Sequence, residues 1–279
     1  MSQIDKPNLL IAGFQKCAST SLYDLLTSHD EILGSTPKET YFLCDNPDGF
    51  VPHRLMAKKW SDLFIQKDNR CQKYYLEATV ANFYQEKAIA YAQDNNCKVI
   101  FIVRDPIDRL LSVYNYQKHN FILSESGDTT LADFISNAKN GFYTHEFLKN
   151  ALEHGKYYKY IERWKLEVGS ENVFVLGLKD ILNGEIIELN ELFDFLSLEV
   201  PTNSKIKFRN VSMQPANLKA HKLLLSVFGG KKIPFKKQII KAYKNKYFNK
   251  AKKPMLELSL KLDLQQYYSE EYEQLKKYF

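Results

Sequence analysis

Four groups of residues have the types and spacing to do chemistry on an anionic substrate. The first follows Gly13: Lys16, then Cys17, Ala18 and the hydroxyl run Ser19-Thr20-Ser21. A lysine is a full positive charge, and hydroxyls and free backbone N–H groups are donors, so the ligand of such a segment is a phosphate or a sulfate. The second is Lys38-Glu39, a cation beside a carboxylate that can take a proton from an attacking group. The third is Glu77 with Thr79, an alternative carboxylate base. The fourth is Arg104, with Ser112 eight residues later, a guanidinium and a hydroxyl that can share a second phosphate.

These residues matter together only if the fold brings them together, and the flanking sequence supplies the elements. Leu9 to Ala12 is a short apolar run that reads as a buried parallel strand. The helix after it carries Leu22, Leu25 and Leu26 on one face, so the loop between them ends at a helix N-terminus, with unpartnered N–H groups and a favourable dipole. Glu31 to Thr36 is a second strand and runs into Lys38-Glu39. Tyr74 to Leu76 is a third and ends at Glu77. Lys98 to Val103, apolar on both faces, is the clearest strand and should be central; Arg104 follows it, with Asp105 as N-cap and Pro106 opening the next helix. In parallel sheets ligands bind at the carboxyl ends of the strands. Four strand ends therefore deliver three cations, carboxylates and hydroxyls to one edge.

The rest alternates in the same way. Helices are expected over 81–93, 131–138 and 185–198, with a helical region over 144–167 broken near Gly155. A strand is expected over 172–177, and a closing helix from Leu256 to Phe279. Strands alternating with helices predict a three-layer α/β/α protein with a central, mostly parallel sheet.

Composition narrows the class. The chain has 279 residues, 39 Lys and Arg, 33 Asp and Glu, and a net charge of +6. The charge is uneven. Residues 201–256 hold 15 basic residues and no acidic one, so the remainder is net negative. That Lys-rich stretch is either a solvated helical face or a positive surface for an anionic ligand or a membrane face. No apolar run approaches the ~20 residues needed to span a bilayer, and no signal-peptide core precedes the first strand, so a cytoplasmic protein is expected. Cys17, Cys44, Cys71 and Cys97 show no C-x-x-C pairing, which argues against a disulfide framework or a zinc site. A thiol at a helix N-terminus tends to acidify, but Cys17 reads as a small loop residue rather than a nucleophile, because no His stands nearby in the sequence. No H-x-x-x-H or Asp cluster is present, so no metal is expected.

The Gly13 loop is not a Walker A motif, which needs a second glycine directly before its lysine. The alternative at each position is ordinary. Lys16 could be solvated, Glu39 could cap or pair, and Arg104 could pair with Asp105 or Asp108. Arg109 is read as structural, in such an ion pair. His29, His53 and His119 rank lower as bases because none follows a strand end.

With these residues in hand, a family resemblance is visible. Gly13-Phe-Gln-Lys-Cys-Ala-Ser-Thr-Ser-Leu22 resembles the 5′-phosphosulfate loop of sulfotransferases that use 3′-phosphoadenosine 5′-phosphosulfate (PAPS). Arg104-Asp-Pro-Ile-Asp-Arg-Leu-Leu-Ser-Val-Tyr114 resembles their 3′-phosphate motif. Lys38-Glu39, and Glu77-Ala-Thr79 with Tyr84, are similar to the heparan-sulfate-type branch and its bacterial relatives. Ala78 and Val80 depart from that branch, and its cysteine-bridged C-terminal loop has no counterpart. The resemblance implies a P-loop NTPase-like sulfotransferase fold over one domain, residues 1–279, with a donor-binding core at about 8–212 and a Lys-rich helical section at 213–279. It implies that Lys16 and the segment Cys17, Ala18, Ser19, Thr20 and Ser21 hold the phosphosulfate. Arg104 and Ser112 would hold the 3′-phosphate, Glu39 would be the base, and Lys16 and Lys38 would offset charge on the leaving phosphate. Arg209, Asn210 and Ser212 sit where relatives close over the nucleotide. The expected partners are PAPS and an acceptor that the sequence leaves open (a glycan, a lipid or another small molecule, polar or anionic or apolar with a polar head), not nucleic acid, and the Lys-rich section 205–253 could make peripheral membrane contact. The competing readings are an ATP- and magnesium-dependent phosphotransferase and a non-catalytic polyanion-binding module.

Overall fold

The computed structural model describes residues 6–45, 59–65, 72–119, 130–183, 186–201, 213–217, 221, 242–243, 246–250 and 253–279. Its centre is β1 (Leu9–Gly13), whose five residues are all buried. Helix α1 (Ser19–Leu26) follows, then β2 (Ile32–Gly34), β3 (Tyr74–Glu77), α2 (Glu86–Asp94), β4 (Lys98–Val103) and α3 (Pro106–His119). The chain continues through α4 (Leu131–Lys139), α5 (Glu146–Lys149), α6 (Tyr157–Val168), β5 (Val173–Gly177), α7 (Leu178–Asn183) and α8 (Ile186–Phe195). The five strands form one parallel sheet in the order β2-β3-β1-β4-β5. This is the α/β architecture expected from the alternation of apolar runs and amphipathic segments. With β1 and β4 inside the sheet, Leu9 to Ala12 and Val99 to Val103 are fully buried, which is why both read as unbroken apolar runs rather than alternating ones.

Aromatic packing fixes where β1 ends. The Phe14 ring lies 4.5 Å from Tyr157, 4.7 Å from Phe83 and 5.5 Å from Phe101, centroid to centroid. Phe101 in turn meets Trp164, whose indole N–H donates to the Phe83 carbonyl at 2.9 Å. A side chain on Gly13 would sit 3.1 Å from the Phe83 Cβ, so glycine lets the strand pass close beneath that cluster. Helix α3 packs Leu110, Leu111 and Tyr114 into a second core with Phe134, Leu148, Leu152, Leu264 and Tyr268.

Several boundaries differ from the expectations. The helix expected over 81–93 splits into a 3₁₀ turn (Asn82–Tyr84) and α2, because the turn carries Phe83 into the core. The region 144–167 divides into α5, a 3₁₀ turn at Glu153–Gly155 and α6. A Cβ on Gly155 would approach the Tyr268 ring to 2.8 Å, so the break is a contact point for the C-terminus. The end of the chain is not continuous helix: β6 (Met213–Pro215) pairs antiparallel with β7 (Phe248–Lys250) before α9 (Leu258–Tyr267) and α10 (Ser269–Gln274). The helical reading of 213–279 is corrected to that extent. Residues 46–58 and 124–128, most of the Lys-rich stretch, His53, and Arg209, Asn210 and Ser212 lie outside the described residues.

Candidate active site

The loop after β1 turns by putting two ordinary residues, Lys16 and Ala18, in the left-handed region, each at φ 67°. The Cys17 N–H donates back to the Phe14 carbonyl at 3.3 Å, and the N–H groups of Ser21 and Leu22 donate to the Ala18 carbonyl at 2.9 and 3.2 Å. Ala18 is the residue before α1 and has no side chain to cap it. The N–H groups of Ala18, Ser19 and Thr20 therefore meet no acceptor among the described residues. Successive N–H groups around left-handed residues at a helix start form a concave donor cradle for an oxyanion.

Cys17 lies in the turn of this cradle, with its N–H closed back on Phe14. Its side chain is fully buried, with Sγ 3.9 Å from the Tyr157 hydroxyl. Burial pushes its thiol up, against the pull of Arg104, Arg109 and Lys16. The general tendency of a thiol to acidify at a helix N-terminus does not hold here, because the side chain faces the core and desolvation outweighs the nearby positive charge, in keeping with a loop residue rather than a nucleophile.

The other strand ends bring their charges to the same place. Lys16 Nζ lies over the Tyr116 ring, 4.2 Å from its centroid. Burial, then the positive charge of Arg104, lowers the Lys16 pKa to about 8, while Cys17 and Glu39 act the other way. From the end of β4, Arg104 Nη1 donates to the Lys16 carbonyl at 3.2 Å and Nη2 stands 3.7 Å from Asp108. From the segment after β2, Lys38 Nζ donates to Ser19 Oγ at 3.4 Å and to the Ala78 carbonyl at 3.0 Å. Its ion pair with Glu39 Oε1 measures 3.1 Å. The other oxygen, Glu39 Oε2, accepts from the Tyr41 hydroxyl at 2.8 Å. Ser112 is half-buried on α3, two turns beyond Arg104. Lys16, Lys38, Glu39, Ser19 and Arg104, spread over ninety residues of sequence, thus meet at the carboxyl edge of the sheet.

The remaining candidates lie elsewhere or do something else. Glu77 is completely buried. Its carboxylate accepts from Thr40 Oγ1 at 2.9 Å, the Thr79 N–H at 3.1 Å, Asn82 Nδ2 at 2.7 Å, and from Thr79 Oγ1. Burial raises its carboxyl, and the bonds from Thr79 and Thr40 oppose that. With both oxygens engaged and no exposure, Glu77 is a latch between β3 and the 40–41 backbone, not a base. Among the described residues Arg109 makes none of the surface ion pairs expected of it: it is buried and donates to the Ala151 carbonyl. Arg104 does pair with Asp108, and Asp105 caps α3 through the Asp108 N–H at 2.8 Å, as the sequence suggested. His29 bonds the Glu199 carbonyl at 3.2 Å, which leaves it in the β2–α8 packing.

Three site neighbours were not anticipated. Tyr116 stands one helical turn after Ser112, so i, i+4 spacing on α3 could have flagged it. Tyr41 stands two residues after Glu39, and nothing in its type announced a contact with that carboxylate. Lys253 pairs with Asp108 at 2.6 Å, a long-range contact that no spacing reveals.

The arrangement brings three cations and a carboxylate to one open cradle, and the chain is similar in sequence to known proteins. The chain is 22% identical over 245 residues to mouse (Mus musculus) carbohydrate sulfotransferase 15, covering 69% of this chain and 44% of that protein. It is 24% identical over 199 residues to mouse bifunctional heparan sulfate N-deacetylase/N-sulfotransferase 4, covering 69% of this chain and 22% of that one. The chain thus spans less than half the length of these relatives. Among solved structures, a sulfotransferase from Alicyclobacillus acidocaldarius superposes with a TM-score of 0.57 at 19% identity, over 81% of this chain and 92% of that one, which shows a shared fold. The sulfotransferase domain family matches residues 6–276, nearly the whole length. On that match, this chain belongs to the sulfotransferase domain family.

Proposed function

We propose that the chain transfers a sulfuryl group from PAPS to a hydroxyl or amine of a glycan acceptor. The observation that carries this reading is the meeting of Lys16, Lys38, Arg104 and Glu39 at one sheet edge, on the open cradle of the 13–21 loop. PAPS brings two separate phosphate groups and an electrophilic sulfur, and three cations with a carboxylate between them fit that charge pattern. The glycan acceptor is inferred from the names of the relatives alone.

The chain's residues then take these parts. The open N–H groups of Ala18, Ser19 and Thr20 and the Lys16 ammonium hold the phosphosulfate end. Arg104 and Ser112 take the 3′-phosphate, the group that separates this donor from ATP. Glu39 takes the proton from the acceptor oxygen or nitrogen as a bond to sulfur forms and the bond from sulfur to the 5′-phosphate oxygen breaks. Lys16 and Lys38 offset the charge that moves onto that phosphate. Such group transfer is governed by position and charge, and a well-placed base contributes roughly 10²–10⁴-fold. Lys38 is already tied to Ser19 and Glu39, so it links the phosphate loop to the base.

The competing reading, an ATP- and magnesium-dependent phosphotransferase, makes a different prediction. Adenosine 3′,5′-bisphosphate (PAP) should raise the thermal midpoint of this protein, and ATP with magnesium should do so far less. Stabilisation by ATP-magnesium and none by the bisphosphate would reverse the assignment.

A further inference from the structure

We infer that Tyr41 is a positioning residue for Glu39: its hydroxyl holds one carboxylate oxygen so that the base is aimed at the acceptor. This inference rests on the assignment of Glu39 as the base.

Tyr41 has φ 54°, in the left-handed region that bulky aromatic residues avoid. Backbone strain of this kind persists only where the surroundings over-determine it. Here they do. The Tyr41 N–H donates to Thr79 Oγ1 at 3.0 Å. Thr79 is fully buried and donates through the same hydroxyl to Glu77. Glu77 also accepts from the Thr40 N–H at 3.3 Å and from the Thr40 hydroxyl, so the residue before Tyr41 is fixed from the same carboxylate. A buried latch at the end of β3 therefore sets the backbone of 40–41.

The product of that strain is a side-chain contact. The Tyr41 hydroxyl donates to Glu39 Oε2 at 2.8 Å, while Lys38 occupies Oε1 at 3.1 Å. On a helical backbone, side chains two residues apart do not face each other. The left-handed step at Tyr41 folds the ring back onto the carboxylate. Burial and the Glu39 charge hold the phenol well above its ordinary range, so it stays protonated and acts only as a donor. A donor fixed to Oε2 leaves Oε1, shared among the described residues only with the Lys38 ammonium, on a side chain that stays partly exposed where Glu77 is sealed, as the oxygen that takes the proton. Tyr41 and Lys38 thus divide the work: one orients the carboxylate, the other ties it to the phosphate loop.

The test needs no knowledge of the natural acceptor, because water also attacks sulfur. Release of inorganic sulfate from ³⁵S-labelled PAPS is measured for the full chain, for Tyr41→Phe, for Glu39→Gln and for the double variant, with PAP affinity and thermal midpoint recorded for each. Tyr41→Phe should lower the maximal rate about tenfold, the size of a lost hydrogen bond to a charged group, with PAP affinity changed less than twofold. In the Glu39→Gln background the same substitution should cost less than twofold, since its effect acts through Glu39. Thr79→Val should copy the rate loss and Thr79→Ser should restore it. A Tyr41→Phe loss that persists in full in the Glu39→Gln background, or that tracks weakened PAP binding, would overturn the positioning role. Full activity in Glu39→Gln would instead remove the base assignment. A wild-type rate equal to that in buffer would overturn both.

Discussion

Lys16 offers the most direct link between the geometry of the loop and a solution measurement. In the free protein its ammonium is half-buried, lies against the Tyr116 ring and sits close to Arg104, and its pKa is lowered to about 8 from 10.5. An anion in the cradle would replace the missing counter-charge and keep Lys16 protonated. Binding of PAP should therefore be coupled to a proton. With a free-state value of about 8, Lys16 is about nine-tenths protonated at pH 7, half at pH 8 and about one-tenth at pH 9, since each pH unit is a tenfold step in that ratio. The Kd for PAP should thus rise about tenfold between pH 7 and pH 9. Titration calorimetry at pH 8.5 in buffers of different ionisation enthalpy should show uptake of most of one proton per PAP bound. Lys16→Met should bind PAP weakly at every pH and take up none. A wild-type affinity that is flat from pH 7 to pH 9.5, without proton uptake, would refute the placement of the phosphosulfate end at Lys16. The same shift bears on the free protein. A lysine whose value falls on folding opposes folding while it must be charged, so that penalty fades as the pH rises from about 8 toward 10.5.

Other predictions follow from single contacts. Arg104→Ala should weaken PAP by roughly 10- to 100-fold, the range for a hydrogen-bonded charge, and adenosine 5′-monophosphate by less than threefold; equal losses in calorimetry would take Arg104 away from the 3′-phosphate. Glu271, buried at the start of α10 where its carboxylate accepts from the Tyr158 N–H at 2.9 Å, has a pKa pushed up to about 7 by burial. A carboxyl raised on folding favours the folded state at low pH and loses that advantage as the pH climbs through about 7, so Glu271→Gln should raise the thermal midpoint by roughly 2–4 °C at pH 8 and by little at pH 5. Scanning calorimetry at the two pH values checks it, and a larger gain at pH 5 would contradict the sign.

The sheet and most of the cradle were legible in the sequence because each rests on local pattern. Lys98 to Val103 is apolar on both faces, and the structure places it inside the sheet over the same residues. Asp105 before Pro106 announced a capped helix, and the structure forms that cap. Strand ends gave Lys16, Lys38, Glu39 and Arg104 because parallel topology sends every such end to one edge. What failed was decided by tertiary contacts. Glu77 stands at a strand end like the others, yet Thr40, Thr79 and Asn82 close over it, and only packing tells a sealed carboxylate from an open one. The tendency of a thiol to acidify at a helix N-terminus fails at Cys17, whose side chain turns into the core against Tyr157. Arg109 reads as a surface residue until α9 brings Tyr268 over it. The β6–β7 hairpin joins strands more than thirty residues apart, across a Lys-rich stretch without alternating pattern.

The central claim, that Glu39 takes a proton beside a PAPS-type phosphate cradle, is tested most directly by Glu39→Gln. Sulfate transferred from ³⁵S-labelled PAPS and the Kd for PAP are measured on the same preparation. The account predicts a loss of transfer of about 10²–10⁴-fold with PAP affinity within threefold of the unaltered chain. Transfer at the unaltered rate in that variant would contradict it.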